Sequence, residues 1–349
     1  MSKRAVRVEL LHHEDRTRWD RYVLDSGASC CYHLAGWKTV IERTFGHSCH
    51  YLVAGTDTGV VDGILPLVHI KSFLFGNYMV SLPYFNYGGI CADTPATAEL
   101  LLSEGIRIAR EVGAEHLELR HTCLVGDDLP VKTAKVSMRL RLPGDPAQLW
   151  SCFSAKLKSQ IRRPEKEGMV ARVGGLEELE GFYAVFSENM RDLGTPVYPK
   201  SFFQNILAEF PEATRICTVR SRNGEAVASG FLVGFKDTLE IPWASSLRSA
   251  NRFSPNMLLY WGALKYGCEQ GYGVFDFGRS TPGAGTFRFK EQWGAQPMQL
   301  YWQYWLRDGG LVPELNPGNP KYQAAIAVWK RLPVRLTQVI GPRIVKNLP

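Results

Sequence analysis

The chain has 349 residues, of which 45% are hydrophobic and 21% charged, and it carries a net charge of +7. That length exceeds what one core usually fills, so two domains of about 150 residues each are expected, and the composition is that of an ordinary globular protein. No apolar stretch approaches the ~20 residues that cross a bilayer, and the charged opening MSKRAVRVELLHHEDR lacks the apolar core of a secretory signal, so the expected location is cytoplasmic.

The first half reads as a mixed α/β unit. Trp19, Tyr22 and Val23 share one helical face, and Leu34, Trp37, Val40 and Ile41 share another in a helix that Phe45-Gly46 ends. Strand-like runs follow at 51–54, 63–70 and 78–82, then a loop from Pro83 to Gly89. A helix is expected over 96–112, a strand over 116–120, and a half-buried strand over 136–142, where Val136, Met138, Leu140 and Leu142 alternate with Ser137, Arg139 and Arg141. Pro143-Gly144-Asp145-Pro146 then marks a boundary, giving domains over 1–145 and 146–312 and a tail over 313–349.

The second half repeats the order of the first. Helices are expected over 146–153, 156–163, 177–193 and 199–210, the second of them with a basic cluster of Lys156, Lys158, Arg162, Arg163 and Lys166. Strands over 215–220 and 226–235 flank Asn223-Gly224, a strong short hairpin signal. A strand over 239–244 precedes a helix to Gln270 that Ser254-Pro255 opens, a Ser cap followed by Pro being a start signal. Strands over 274–277 and 297–305 close the pattern. Helix–helix–strand–hairpin–strand–helix–strand, read twice, indicates two copies of one α/β fold.

The eight cysteines form no Cys-x-x-Cys pair, so neither a zinc ribbon nor a thioredoxin-like pair is supported. Gly46-His47-Ser48-Cys49-His50 offers ligand types, but between a helix and a strand it reads as hydrogen-bonded histidines and a packed thiol. No metal is expected. Gly-x-Ser-x-Gly, Gly-x-x-x-x-Gly-Lys-Ser/Thr and Gly-x-Gly-x-x-Gly after a strand are all missing from the sequence.

The most informative stretch is 275–295, FDFGRSTPGAGTFRFKEQWGA. An apolar run carrying Asp276 leads into a loop of Gly278, Pro282, Gly283 and Gly285, followed by Thr286-Phe287, Phe289-Lys290 and Trp293-Gly294. Loops of this kind on a rigid strand are where sites tend to lie; the competing reading is a buried strand, a surface connection and a solvated lysine.

Asp276-Phe277-Gly278, Gly285-Thr286-Phe287, Phe289-Lys290 and Trp293-Gly294 together resemble the signature of the Fem-type peptidyl and aminoacyl transferases, which build peptidoglycan cross-bridges. The run Glu188-Asn189-Met190-Arg191-Asp192-Leu193-Gly194-Thr195-Pro196, with 275–295, resembles the FemAB-like subgroup that accompanies exosortase/PEP-CTERM sorting and exopolysaccharide systems. The resemblance extends from about Cys30 to Tyr304. It implies two tandem GNAT-like (acyl-CoA N-acyltransferase-like) domains with mixed central sheets.

It also implies site residues. Lys290 would stabilise the tetrahedral intermediate and Phe289 would line the aminoacyl pocket, with Trp293 beside them. Burial among Phe287, Phe289 and Trp293 would lower the amine's pKa and weaken it as a fixed cation. Asp276 is placed to orient Lys290, Arg279 or an acceptor amine. For an acceptor with a pyrophosphate or an anionic peptide, Arg191, Tyr198, Tyr260 and Lys38 supply cations and hydroxyls, and Asn86 lies in the Pro83–Gly89 loop; each also has a structural reading as an ion pair, an exposed lysine or a turn. The helix after Asn251-Arg252-Phe253-Ser254 lacks the glycines of a coenzyme A loop, though its amides can still hold an anion.

The expected activity is therefore acyl or aminoacyl transfer to an amine of a cell-envelope precursor, related to peptidoglycan or exopolysaccharide, with no bound cofactor and with aminoacyl-tRNA as donor. The alternatives are an acyl-CoA-dependent N-acyltransferase acting on an exopolysaccharide sugar or small amine, and a non-catalytic protein that binds such a precursor. From Leu311 onward six cations face one acid, Glu314, and Trp329, Leu332, Val334, Leu336, Val339 and Ile340 are interleaved with them. That tail reads either as a basic amphipathic segment resting on the inner membrane face or as a helix packed on the body.

Overall fold

The computed structural model describes residues 6–56, 59–73, 75–126, 128–313 and 320–348. The opening five residues, and 314–319 at the start of the expected tail, lie outside the described residues. The chain forms two compact units, one of Met1–Val136, Met298–Glu314 and Asn347–Pro349, the other of Ser137–Pro297 and Leu315–Lys346.

The first unit begins with β1 (Arg7–Leu10), α1 (Arg16–Asp25) and α2 (Gly36–Phe45). Trp19, Tyr22 and Val23 are the buried residues of α1, and α2 ends at Gly46, whose φ of 71° is the left-handed turn a glycine supplies. Five strands follow: β2 (Ser48–Cys49), β3 (Leu52–Gly55), β4 (Val61–Leu65), β5 (Val68–Ser72) and β6 (Gly76–Val80). The single strand expected over 63–70 is thus two, parted at Pro66, which has no N–H to give a ladder. Completing the unit are β7 (Cys91–Ala92), α3 (Pro95–Glu111), β8 (His116–His121) and β9 (Val131–Lys132). One sheet has the order β1-β3-β4-β7; the other runs β2-β5-β6-β8, then the distant strand Tyr301–Leu306, then β9. Helix α3 starts on Thr94, whose side chain accepts from Thr97 N, and buries Leu101, Ile108 and Ala109.

The second unit contains β10 (Val136–Arg141), α4 (Pro146–Cys152), α5 (Ala155–Lys166), β11 (Val170–Gly174), α6 (Leu179–Leu193), α7 (Lys200–Glu209), β12 (Thr214–Arg220), β13 (Ala226–Phe235), β14 (Thr238–Ser246), α8 (Pro255–Glu269), β15 (Val274–Ser280), α9 (Gly285–Glu291) and β16 (Gln296–Gln299). Strand β17 (Tyr301–Leu306) is the one lent to the first unit's sheet, so the strand expected over 297–305 is also two, in different sheets. The chain then forms α10 (Pro320–Trp329) and α11 (Val334–Val345).

The sheet order is β11-β12-β13-β14-β15-β10-β16. Pairing is antiparallel from β11 to β14, and β14 runs parallel to β15. Gly224, at φ 83°, turns the β12–β13 hairpin. The two faces of β12 separate the helices: a Cβ at Gly181 of α6 would meet Thr218, and one at Gly262 of α8 would meet Cys217 Sγ at 3.2 Å. Successive strand residues point to opposite faces, so α6 and α8 cover opposite sides of the sheet. On the α6 side Phe182, Phe186, Phe202, Phe203, Phe231 and Trp243 form an aromatic core with ring centroids mostly about 5–6 Å apart.

Candidate active site

The parallel pair β14–β15 is registered only at Thr238–Val274, Leu239–Phe275 and Glu240–Asp276, although β14 runs on to Ser246 and β15 to Ser280. Beyond Glu240 and Asp276 the two strands part. Both acids at that point are buried, 4% and 1% exposed.

Asp276 is anchored by three donors. Ser137 Oγ, 2.6 Å away, and the Gly278 amide, 2.8 Å away, reach Oδ1; Arg139 Nε reaches Oδ2 at 3.0 Å. This explains why β10 departs from the expected alternation: Ser137 is buried because it serves Asp276, and the strand lies between β15 and β16. Gly278 has φ 73°, a backbone shape other residues resist, and it lets the same residue bond Asp276 through its N–H and Lys290 through its carbonyl.

Lys290 sits on α9 with 7% of its surface exposed. Its Nζ donates to Gly278 O and to Arg279 O, both at 2.9 Å. Burial lowers its pKa from 10.5 to about 8, against the opposing pull of Asp276 and Glu240 and with a smaller push from Arg279. A lysine ammonium has three N–H groups, so one remains after the two carbonyls.

The neighbouring residue on α9 faces an aromatic wall. Phe289 meets Tyr260 edge-on at 5.0 Å, Tyr260 stacks on Phe277 at 5.5 Å, and Trp293 closes the group 6.2 Å from Tyr260. Burial pushes the Tyr260 hydroxyl well above its ordinary pKa. The Trp293 indole Nε1 is buried without a hydrogen-bond partner among the described residues. Beside Trp293 a cavity of ≈ 610 Å³ is lined by Leu140, Leu142, Leu149, Phe153 and Gly294, among others.

Asp276, Lys290, Phe289, Tyr260, Trp293 and the backbone of Arg279 are thus brought together around the end of β15; the Arg279 side chain is exposed. Arg191 and Tyr198 belong to the same unit but are engaged on the α6–α7 side. Arg191 Nε donates to Asp192 Oδ1 at 2.6 Å and Nη1 to Leu332 O at 3.3 Å, while Tyr198 stacks on Phe186 and meets Trp243 of β14 edge-on. Lys38, on α2, and Asn86, whose carbonyl accepts from Trp302 Nε1 at 3.3 Å, are in the first unit.

Ser254 departs from its expected role: it precedes α8 with φ 59° and its side chain caps nothing, so Pro255 alone marks the helix start. Glu240 and Ser137 are buried site residues that the motif did not mark. An acid inside the apolar run Leu239-Glu240-Ile241 was the available signal, since a buried carboxylate needs a reason. Among the described residues no group of three or more His, Cys, Asp or Glu side chains could hold a metal ion.

Residues 152–291 match the family model described as an acetyltransferase (GNAT) domain. Among solved structures, FemX shares 14% identity at a TM-score of 0.64, covering 85% of this chain and 96% of its own. The C-terminal domain of a lysylphosphatidylglycerol synthetase from Agrobacterium fabrum is 14% identical with a TM-score of 0.55 (91% and 95% covered). A tandem GNAT protein from the clavulanic acid biosynthesis pathway is 12% identical with a TM-score of 0.55 (88% and 100%). No curated protein matches the chain. The chain has the expected mixed α/β fold with GNAT-like neighbours, and residues 152–291 are similar to a GNAT acetyltransferase domain.

Proposed function

We propose that the protein is an acyl- or aminoacyltransferase that forms an amide on an amine of a cell-envelope precursor, acting in the cytoplasm where activated donors are made. The observation that carries this reading is Lys290: a buried amine, fixed on two backbone carbonyls where a parallel strand pair opens, with one N–H left without an acceptor among the described residues. In the reaction the acceptor amine attacks the donor carbonyl, the carbonyl oxygen takes up the negative charge, and collapse re-forms the carbonyl and breaks the bond to the donor's leaving group, which takes the proton that the amine gives up. A pKa near 8 keeps Lys290 largely protonated at neutral pH, so its third N–H can meet the oxyanion. Such a donor is typically worth 10²–10³ in turnover. Phe289, Tyr260, Phe277 and Trp293 form an apolar wall suited to the transferred group.

The acceptor side rests on the resemblance to the FemAB-like subgroup and points to an amino group of a peptidoglycan or exopolysaccharide precursor. The same resemblance supports an aminoacyl donor carried on tRNA, on a fold that is similar to that of FemX. A second reading, with an acyl-CoA thioester as donor, is favoured by the match of 152–291 to the acetyltransferase domain model. The test is mass-spectrometric detection of a new amide when the protein is incubated with an amine-bearing envelope precursor and either charged tRNA or acetyl-CoA. Product with only one donor assigns it. No product with either, together with saturable binding of the precursor, would instead mark a binding protein.

A further inference from the structure

One side of the C-terminal segment is used to hold it to the second unit. On α11, Thr337, Gly341 and Val345 are buried. Gln338 Nε2 donates to Ser187 Oγ of α6 at 2.9 Å, and Leu332 O accepts from Arg191. A Cβ at Gly341 would stand 2.8 Å from the Val197 amide nitrogen, so the helix lies close against the chain after α6.

Those contacts determine what faces outward. Val328, Leu336 and Val339 are 62%, 42% and 60% exposed, and Lys330, Arg331, Arg335, Arg343 and Lys346 are exposed around them. Residues 315–349 contain neither Asp nor Glu. An ordinary solvated helix face mixes both signs of charge and keeps aliphatic groups few. A nucleic-acid surface uses cations with stacking aromatics, whereas the projecting groups here are aliphatic. Cations alternating with exposed aliphatic side chains suit a surface that is anionic at its headgroups and apolar just beneath.

We propose that the outward face of residues 328–346 docks the protein on the anionic surface of a phospholipid bilayer, with Val328, Leu336 and Val339 entering the headgroup–acyl boundary and the surrounding cations over phosphates. This is independent of the transfer chemistry, and its readout is binding, so either reading can fail without the other.

The test is sedimentation of the full-length protein with vesicles of phosphatidylcholine alone or phosphatidylcholine with phosphatidylglycerol. The protein is expected to sediment only with the anionic vesicles, and less as salt rises. Arg331→Ala with Arg335→Ala should weaken binding roughly 30-fold, as the typical contribution of two cations near an anionic surface implies. Leu336→Ser with Val339→Ser should also weaken it, roughly tenfold, with the unfolding midpoint unchanged because all four side chains are exposed. Failure to sediment at low salt, or equal sedimentation with both vesicles, overturns the proposal. So does binding that survives the aliphatic substitutions intact.

Discussion

Lys290 should make the protein more stable as the solution becomes alkaline. In the unfolded chain its pKa is the ordinary 10.5; in the fold burial lowers it to about 8. Between those two values the unfolded state binds more protons than the folded state, so unfolding free energy must rise with pH across that window. Below pH 8 the buried ammonium carries its full penalty. The lowering corresponds to about 3 kcal/mol, most of which is relieved between pH 7 and 10. The assay is urea unfolding of the wild type and of Lys290→Met at several pH values. The variant loses two hydrogen bonds to Gly278 and Arg279 carbonyls at every pH, and other titrating groups cancel in the comparison. The wild type should therefore gain roughly 2–3 kcal/mol on the variant from pH 7 to 10. A difference that stays flat over that range would show that the amine is not desolvated and would remove the physical basis for its assigned role.

Gly278→Ala places a Cβ at φ 73° and should lower stability by roughly 1–2 kcal/mol in chemical denaturation, disturbing both the Asp276 and the Lys290 contacts. In the first unit, Arg120 Nε and Glu118 Oε1 are 2.6 Å apart with both side chains buried. Glu118→Gln alone should cost roughly 3–5 kcal/mol by leaving a buried guanidinium uncompensated, and Glu118→Leu with Arg120→Met should recover much of that loss in thermal unfolding.

Much of the architecture was legible because apolar periodicity and turn chemistry agree. The buried stripe Trp19, Tyr22 and Val23, the Phe45-Gly46 stop and the Asn223-Gly224 hairpin all rest on local rules that the packing leaves intact. Strand β11 was not foreseen, since its residues are half-exposed at a sheet edge and show no clean alternation. The division of 297–305 between two sheets was not legible either, because nothing local tells β16 from β17; only long-range pairing does. At the site, the 275–295 motif contains Asp276, Phe289, Lys290 and Trp293, and the structure gathers these with Tyr260. The supports from elsewhere, Ser137, Arg139 and Glu240, lie up to 139 positions from Asp276 in sequence. Sequence spacing cannot reveal partners that only strand order brings side by side.

The most direct measurement is turnover of amide formation by wild type and Lys290→Met with the same donor and acceptor. Loss of an oxyanion donor should lower kcat by 10²–10³ with little change in KM, and wild-type activity attributable to the ammonium should fall as pH rises through about 8. Undiminished turnover by Lys290→Met, with the pH profile unchanged, would contradict the account.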